Sequence, residues 1–243
     1  MTGLPWLWAR SLECVCYAVR IGLRWHTSVR GGRSGPTRRR GGGYAWPIFT
    51  VDGDRIALTV DDGPHPEWTP ALLDVLARHD VPATFFLIGA NVARYPSLAA
   101  RIAAEGHAIG NHSLTHPQPF AALDRARLRA EIAEAQARIV DAVGAPVRLF
   151  RAPGGGWSPA VLEAAAELDL TTVDWTVNPS DWKEPGTDHI VRVLSRSRPG
   201  HVLLCHDGGG DRSQTVAALD RVIPQLLARG LRFARVEPRS VTA

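Results

Sequence analysis

The sequence predicts an α/β protein in which a parallel sheet closes into a barrel. Short apolar runs alternate with amphipathic helical segments about seven times, which is the pattern of repeated strand and helix units. A chain of 243 residues is long enough for one barrel of this kind around one large core. An open sheet is the alternative, but the chain has no Gly-x-Gly-x-x-Gly or phosphate-loop pattern to support it. We therefore expect a single barrel domain over residues 44–243.

The predicted strands are short apolar or aromatic runs bounded by turn residues. In chain order they cover residues 56–60, 83–88, 107–110, 147–150, 170–173, 201–205 and 231–236. The predicted helices begin near residues 70, 97, 125, 159, 188 and 215. Thr69 is expected to cap the first helix, with Pro70 at its first position. Asp124 and Gly144 are expected to bound the longest helix, since these residue types favour the N-cap and the position after a helix end.

The positive charge of the chain is concentrated before the barrel. The formal net charge is +4, but residues 1–43 contain eight arginines and one glutamate and carry +7, which leaves −3 for the rest. The basic character therefore belongs to an extension of the folded domain, and we expect no nucleic-acid partner. Three cysteines are too few for a disulfide framework, and Cys205 is expected to be a small buried residue.

Residues 1–43 are predicted to be a basic extension, either disordered or lying at an interface as an amphipathic helix. Its apolar stretch is interrupted by Arg10, Glu13 and Arg20, and no basic segment precedes it, which argues against a signal peptide or a membrane span. A wrongly assigned start of the chain is a further alternative. On this basis a cytoplasmic location is favoured over secretion or attachment to the cell envelope, and the oligomeric state stays open.

Two adjacent carboxylates, Asp61 and Asp62, follow the first predicted strand and precede a turn made by Gly63 and Pro64. The turn can bring both acids to the mouth of one pocket. There, one carboxylate can bind a cation while the other transfers protons. A solvated Asp-Asp turn is the structural alternative.

His112 and His116 follow the third predicted strand, four residues apart. Two imidazoles at this spacing can converge on one cation in either a helical turn or a tight loop. A His-x-x-x-His pair alone is a weak indication of a metal site. Together with Asp62 it makes a set of three protein ligands that leaves coordination positions open for water and substrate.

Further polar residues follow the later strands, where a parallel barrel builds its active site. Arg151 can make a bidentate pair with a carboxylate, and the glycines after it let the backbone approach a ligand closely. Asp181 supplies another carboxylate beside Trp182, and His206 ends the sixth strand. Each has a structural alternative. The glycines can form a flexible loop, the tryptophan can pack in the core, and the histidine can be a strand-end residue whose hydrogen bonds are only structural. Their order and position together favour a catalytic site.

These segments resemble the five motifs of the NodB-homology polysaccharide deacetylases, carbohydrate esterase family four. The matching stretches are residues 59–64, 112–116, 151–153, 181–182 and 204–206, and they span most of the predicted barrel. The resemblance implies a distorted parallel βα barrel of seven or eight strands. It also implies a divalent metal ion, with zinc favoured and cobalt or another divalent ion as alternatives, and an enzyme that hydrolyses linear amides in an N-acetylated glycan.

The resemblance assigns roles to individual residues. Asp61 is the catalytic base and His206 the general acid, while Arg151 orients Asp61. Asp181 supports either Arg151 or His206. The metal ligands are Asp62, His112 and His116, and the acetyl pocket is lined by Leu204 and Trp182.

Two positions depart from the family pattern. Val60 stands where phenylalanine is common, and Gly154 stands where many relatives carry tyrosine. The Gly154 N–H can still donate to an oxyanion. The aromatic wall that tyrosine would supply is lost unless Trp157 provides it. The alternative for Trp157 is packing in the core.

The expected reaction is removal of N-acetyl groups from poly- or oligosaccharides that contain N-acetylglucosamine. A metal-bound water, its pKa lowered toward about 7, attacks the acetamide, so that acetate is released and a free amine is left. The stretch over 177–182 resembles lipo-chitooligosaccharide-type relatives and favours short chains of N-acetylglucosamine over peptidoglycan or a smaller glycoside. Two alternatives stay open: a hydrolase of the same fold that acts on O-acetyl groups or a small amide, and a catalytically silent glycan-binding barrel.

Overall fold

The structure, a computed structural model, describes residues 45–239. The basic extension predicted over 1–43 lies outside the described residues, as does Tyr44, where the predicted barrel domain begins. In the described part of the chain, strands and helices alternate as the sequence predicts. Every pairing between the strands named below is parallel.

Seven strands and seven α-helices make up this part of the chain. The strands are β1 (Arg55–Asp61), β2 (Thr84–Leu87), β3 (Ala108–Asn111), β4 (Leu149–Phe150), β5 (Thr171–Thr172), β6 (Val202–His206) and β7 (Arg232–Phe233). The helices are α1 (Trp68–Arg78), α2 (Gly89–Arg94), α3 (Pro96–Ala104), α4 (Arg125–Val143), α5 (Pro159–Glu167), α6 (Thr187–Leu194) and α7 (Ser213–Ala228). Short 3₁₀ turns lie at Phe120–Ala122, Pro153–Gly155 and Asp181–Lys183. No helix among residues 45–239 is both long and apolar enough to span a membrane.

The strands form one curled sheet in the order β5-β4-β3-β2-β1-β6, with β7 beside the start of β1. Between β5 and β6 the continuous ladder is replaced by isolated bridges. Ile48 and Thr50, which precede β1, bridge to residues next to β5 and β6, and Val177 bridges to Leu203 in β6. The sheet is therefore an incomplete barrel closed by irregular segments, which confirms the distorted barrel that the resemblance implies.

Strand side chains alternate between the covering helices and the barrel interior. In β1, Leu58 and Val60 belong to the apolar cluster that also contains helix residues such as Leu76. A second cluster, which includes Phe86 and Val202, lies on the opposite, interior face of the sheet. Each large apolar side chain contributes about 1.5–3 kcal/mol by leaving water. Buried polar residues such as Asp61, His112 and Arg151 lie at the carboxyl ends, so the fold places a group of polar side chains at that end of the barrel.

Helix α4 has the ends that the sequence predicts. The Asp124 carboxylate accepts a hydrogen bond from Arg127 N at 2.9 Å, which satisfies an amide of the first turn. Gly144 follows the last turn with φ 70°, a left-handed conformation that glycine adopts without steric cost. Cys205 is buried within β6, which confirms the prediction for this residue.

The prediction for the start of α1 is wrong. Glu67 stands at the N-cap, and Thr69 lies inside the first turn. The Thr69 hydroxyl is used elsewhere, since it accepts a hydrogen bond from His65 N at 2.7 Å and donates one to the buried Asp207 carboxylate at 2.5 Å. Helix α2 is missing from the predicted elements because its six residues are too few to show a helical period.

Candidate active site

The polar end of the barrel brings the predicted residues together. Parallel pairing of β1 with β6 sets Asp61 opposite His206. His112 directly follows β3, and Arg151 directly follows β4. The carboxyl ends of four strands of one sheet therefore supply the site, as expected for a parallel barrel.

Asp61 is held by Arg151, which is fully buried. Arg151 Nη1 donates to Asp61 Oδ1 at 2.8 Å and to Thr59 Oγ1 at 2.7 Å. Its Nη2 donates to the carbonyl oxygen of Asp174 at 3.0 Å, and its guanidinium carbon lies 4.2 Å from the centroid of the Phe86 ring. The arginine is therefore fixed from several sides and holds one oxygen of Asp61 in a defined position.

The environment of Asp61 suits a proton acceptor. Burial, the largest influence, raises the pKa of Asp61, although the charge of Arg151 acts in the opposite direction. A carboxylate with a raised pKa binds a proton more readily at neutral pH than an exposed aspartate does. The oxygen that Arg151 leaves unbonded, Oδ2, faces His112 Nε2 at 3.6 Å. Asp61 can thus accept a proton at Oδ2 while Oδ1 stays with the arginine.

Asp62, His112 and His116 converge beside Asp61. Asp62 Oδ1 lies 3.5 Å from His112 Nε2 and 3.4 Å from His116 Nε2, and one donor atom from each of the three residues lies within 4.8 Å of the others. His112 Nδ1 lies 2.8 Å from the carbonyl oxygen of Arg151. Because a carbonyl oxygen can only accept, Nδ1 carries the proton and Nε2 presents its lone pair to the site.

This donor set fits a divalent cation. Burial lowers the pKa of His112 to about 3, so the ring is neutral, as a metal ligand must be. Within residues 45–239, Asp62 Oδ1 is one of three buried side-chain oxygens without a hydrogen-bond partner. An unpaired buried carboxylate oxygen is unfavourable, and a cation between it and two imidazoles would satisfy it. One carboxylate and two imidazoles suit zinc and several other divalent ions.

Three non-glycine residues of the site have left-handed backbone conformations. The φ angle is 78° at Asp62, 66° at Ser113 and 55° at His116. Such conformations cost about 1–3 kcal/mol each and persist only where surrounding contacts hold them. Gly208 packs against the carbonyl oxygen of Asp62, where any side chain would collide, and Ser113 Oγ accepts a hydrogen bond from His116 N at 3.0 Å. Tertiary contacts therefore impose the positions of the ligands.

His206 lies across the site and is paired with Asp181. His206 Nδ1 lies 2.7 Å from Asp181 Oδ1, and His206 N donates to Asp181 Oδ2 at 2.8 Å. Thr215 Oγ1 donates to the same Oδ2 at 2.9 Å. The sequence leaves open whether Asp181 contacts Arg151 or His206, and the observed hydrogen bonds are with His206.

The pairing also sets the protonation of both partners. Burial acts to lower the pKa of His206, but the hydrogen bond and charge of Asp181 outweigh it, and the net pKa is raised. For Asp181, burial acts to raise the pKa, while hydrogen bonds from His206 and Thr215 outweigh it and lower the pKa. Because Nδ1 is bonded to Asp181, the proton that His206 can give away is on Nε2.

The predicted substrate-contacting residues occupy different environments. Leu204 is buried in β6, whereas Trp182 is 51% exposed with Lys183 Nζ 4.8 Å from the centroid of its ring. Gly154 is exposed at φ 60°. A side chain at Gly154 would collide with the side-chain amide of Gln118. That amide is the end of a flexible side chain and can move aside, so the left-handed φ of 60° is the physical reason that favours glycine over tyrosine at this position.

Trp157 packs in the core, which is the alternative that the sequence leaves open for it. It is 9% exposed, and its ring meets Phe150 edge to face at 6.1 Å between centroids. Its Nε1 donates to Asp174 Oδ2 at 2.8 Å. The carbonyl oxygen of Asp174 accepts a hydrogen bond from Arg151, so Trp157 is linked to the site indirectly, through Asp174.

Two residues of this region receive no role in the sequence analysis, although Thr59 lies in the first of the matching stretches. Thr59 accepts the hydrogen bond from Arg151 inside the barrel. Glu131 of α4 is 1% exposed and contacts the loop that carries His116. The signal for Glu131 is its place beside Ile132 in the apolar stripe of a helix, where a charged side chain needs a buried partner.

Comparison with known proteins agrees with this geometry. The family model described as polysaccharide deacetylase matches residues 50–173. The chain is similar to a chitooligosaccharide deacetylase of Sinorhizobium fredii, with 46% identity over 187 residues that cover 72% of this chain and 86% of the relative. It is also similar to a peptidoglycan-N-acetylglucosamine deacetylase of Bacillus cereus, with 42% identity over 184 residues that cover 74% of this chain and 85% of the relative.

The chain is also similar in fold to a solved structure of a deacetylase. The crystal structure of the Bc1960 peptidoglycan N-acetylglucosamine deacetylase matches this chain with a TM-score of 0.76 and 39% sequence identity. The match covers 79% of this chain and 91% of that one.

Proposed function

The chain belongs to the polysaccharide deacetylase family, and from that premise we propose that it removes acetyl groups from short chains of N-acetylglucosamine. As a polysaccharide deacetylase it is a metal-dependent hydrolase that acts on the amide C–N bond of an N-acetylated glycan. The metal we propose is zinc, because two imidazoles and one carboxylate are ligands typical of catalytic zinc sites.

One observation carries the proposal: the unpaired Oδ1 of Asp62 faces the Nε2 atoms of His112 and His116, and a second carboxylate, Asp61, lies beside them. These three ligands would hold a divalent cation that acts as a Lewis acid and lowers the pKa of a water molecule. The rest of the reaction follows from the residues around them.

We assign the proton transfers to two residues. Asp61 Oδ2 accepts a proton from the attacking water while Arg151 keeps Oδ1 in place. The Gly154 N–H donates to the oxyanion that develops on the carbonyl. As the C–N bond breaks, His206 Nε2 gives its proton to the leaving nitrogen, and Asp181 holds the imidazole in the orientation that this transfer needs. The products are acetate and a free amine.

Substrate contacts are assigned to the remaining predicted residues. Leu204 would contact the acetyl methyl group, and the exposed ring of Trp182 would stack on a pyranose. Trp157 is proposed to act through its hydrogen bond to Asp174 and not as a wall against the sugar. The preference for short chains is supported by the 46% identity to the chitooligosaccharide deacetylase and by the stretch over 177–182.

The test is a screen of the purified protein with zinc or cobalt against chitin oligomers, muropeptides and O-acetylxylan. We expect chitin oligomers to lose 42 Da for each acetyl group removed, as measured by mass spectrometry, with one acetate released for each loss. The Asp61→Asn protein, loaded with the same metal, is the matched control and should be inactive. Conversion of muropeptides alone would contradict the proposed substrate.

The same screen decides between the alternatives from the sequence. A hydrolase of O-acetyl groups would release acetate from O-acetylxylan and none from N-acetylglucosamine oligomers. A catalytically silent glycan-binding barrel would bind oligomers and turn over none of the three substrates with either metal. The pairing of a buried base with Arg151 and of an acid with Asp181 favours the enzyme over the silent barrel.

A further inference from the structure

We propose that Glu131 is a positioning residue that holds His116 in its metal-binding place. The inference rests on the proposed function, because it concerns the ligand set described above. Glu131 belongs to α4, and its carboxylate reaches the loop between His112 and His116. It therefore acts on the site through the loop backbone.

The Glu131 carboxylate is satisfied by four hydrogen bonds. Oε2 accepts from the backbone N–H groups of Leu114 at 3.1 Å and Thr115 at 2.8 Å. Oε1 accepts from Thr115 Oγ1 and from Arg127 Nη2, both at 2.8 Å. Two consecutive N–H groups aimed at one oxygen form a small anion-binding concavity in the backbone. A buried negative charge needs such partners, so the carboxylate and the loop conformation stabilise each other.

The two histidines differ in what fixes them. The His112 ring is anchored by its own hydrogen bond from Nδ1 to the Arg151 carbonyl oxygen at 2.8 Å. Among the residues that the structure describes, the His116 ring has no comparable anchor, and its approach to Asp62 is the polar contact that it makes. The His116 side chain is also 27% exposed, against 2% for His112.

The position of His116 Nε2 therefore depends on its backbone. His116 has φ 55°, and Ser113, at the other side of Leu114 and Thr115, has φ 66°. Both are conformations that need surrounding contacts to persist. The residues between them are the ones that Glu131 holds, so the carboxylate supports the turn that directs His116 toward Asp62.

Two variants of Glu131 separate reach from charge. Glu131→Gln keeps the length of the side chain and one acceptor oxygen but removes the charge. Glu131→Asp keeps the charge and shortens the side chain by one methylene, so it can no longer reach both N–H groups. Arg127→Ala is the matched control, because it removes the exposed partner of the same carboxylate and leaves the loop contacts intact.

The measurement is the zinc dissociation constant of the full chain, obtained by competition with a chromogenic chelator. Loss of a residue that orients a metal ligand commonly costs about 10–100-fold in affinity, and we expect a loss of that size for Glu131→Asp. Glu131→Gln and Arg127→Ala should bind zinc nearly as tightly as the unsubstituted protein. Circular dichroism with excess chelator checks that each variant is folded before zinc is added.

A double-variant cycle tests whether the effect passes through His116. Zinc binding by Glu131→Asp combined with His116→Ala should be as weak as binding by His116→Ala alone. Additive losses, or a Glu131→Gln protein as weak as Glu131→Asp, would overturn the inference. Equal affinities in the unsubstituted protein and both Glu131 variants would overturn it as well, while leaving the proposed function intact. Failure of the unsubstituted protein to bind zinc would overturn both.

Discussion

Replacement of His206 by alanine tests the reaction itself, because the role assigned to this residue depends on the leaving group. The amine expelled from an acetamide must be protonated as the C–N bond breaks. A nitrophenolate expelled from an acetyl ester leaves without a proton. His206→Ala should therefore slow deacetylation of an N-acetyl sugar far more than hydrolysis of nitrophenyl acetate.

The size of the loss can be estimated from the structure. General acid catalysis contributes about 10²–10⁴-fold, which corresponds to about 2.7–5.5 kcal/mol of transition-state stabilisation. The His206 side chain is 11% exposed, and its Nδ1 is bonded to Asp181, so Nε2, the proposed proton donor, is held in one orientation. We therefore expect a loss in the upper part of that range, about 10³–10⁴-fold, on the sugar. On the ester the loss should stay below about tenfold.

The assay compares kcat/KM for both substrates in the unsubstituted, His206→Ala and Asp61→Asn proteins, each with its zinc content measured. Asp61→Asn should impair both substrates, because the water must be activated in either case. An equal loss on sugar and ester in His206→Ala, at unchanged zinc content, would refute the reasoning. His206 would then bind substrate or support the pocket, and the proton would come from another source.

Three further predictions concern the metal, the buried carboxylates and the extension. Alanine in place of any one of the three proposed ligands should lower zinc content, whereas Asp61→Asn should retain zinc. If Asp61→Asn loses as much zinc as the ligand variants, Asp61 and Asp62 have exchanged roles. Burial raises the pKa of Asp207 from 3.8 to about 7, so ionisation destabilises the fold as pH rises through this range. Between pH 5 and pH 8, the free energy of unfolding of Asp207→Asn should therefore rise by about 2–3 kcal/mol relative to that of the unsubstituted protein. Urea unfolding with chelator present measures this difference, and a difference that does not change with pH would contradict the prediction. A chain that begins at Tyr44 should remain soluble and active, which purification and the oligomer assay would check.

Local sequence signals are sufficient for much of the fold. The strand β1 and its two acids are predictable because a short apolar run and the residue after it are neighbours in the chain. The ends of α4 are predictable for the same reason, since Asp124 and Gly144 act within one turn of the helix. Thr69 shows the limit, because its hydroxyl bonds Asp207, which is 138 residues away in the chain.

The contacts that support the site lie beyond such signals. Asp181 could have paired with Arg151 or with His206, and only the path of the chain after β5 decides between them. In the sequence, Glu131 is a charged residue in the apolar stripe of a helix, and its partners become visible only when the loop at Leu114 packs against it in the fold. Whether Trp157 lines the substrate pocket or packs in the core depends on the position of Asp174, its hydrogen-bond partner. In each case the deciding partner comes from another element of the fold.

The incomplete closure of the barrel divides the site into two halves that can change independently. Asp61 ends β1, and the three proposed metal ligands follow β1 or β3, two strands that both pair with β2 in a continuous sheet. Asp181 and Trp182 lie instead in the irregular stretch that replaces the ladder before β6. Insertions or exchanges in residues 175–186 that keep Asp181, the partner of His206, should therefore alter which glycan is accepted while metal affinity stays constant. A library randomised around Trp182 with Asp181 kept, and grafted between homologues, offers a route to new glycan preferences on an unchanged hydrolytic centre.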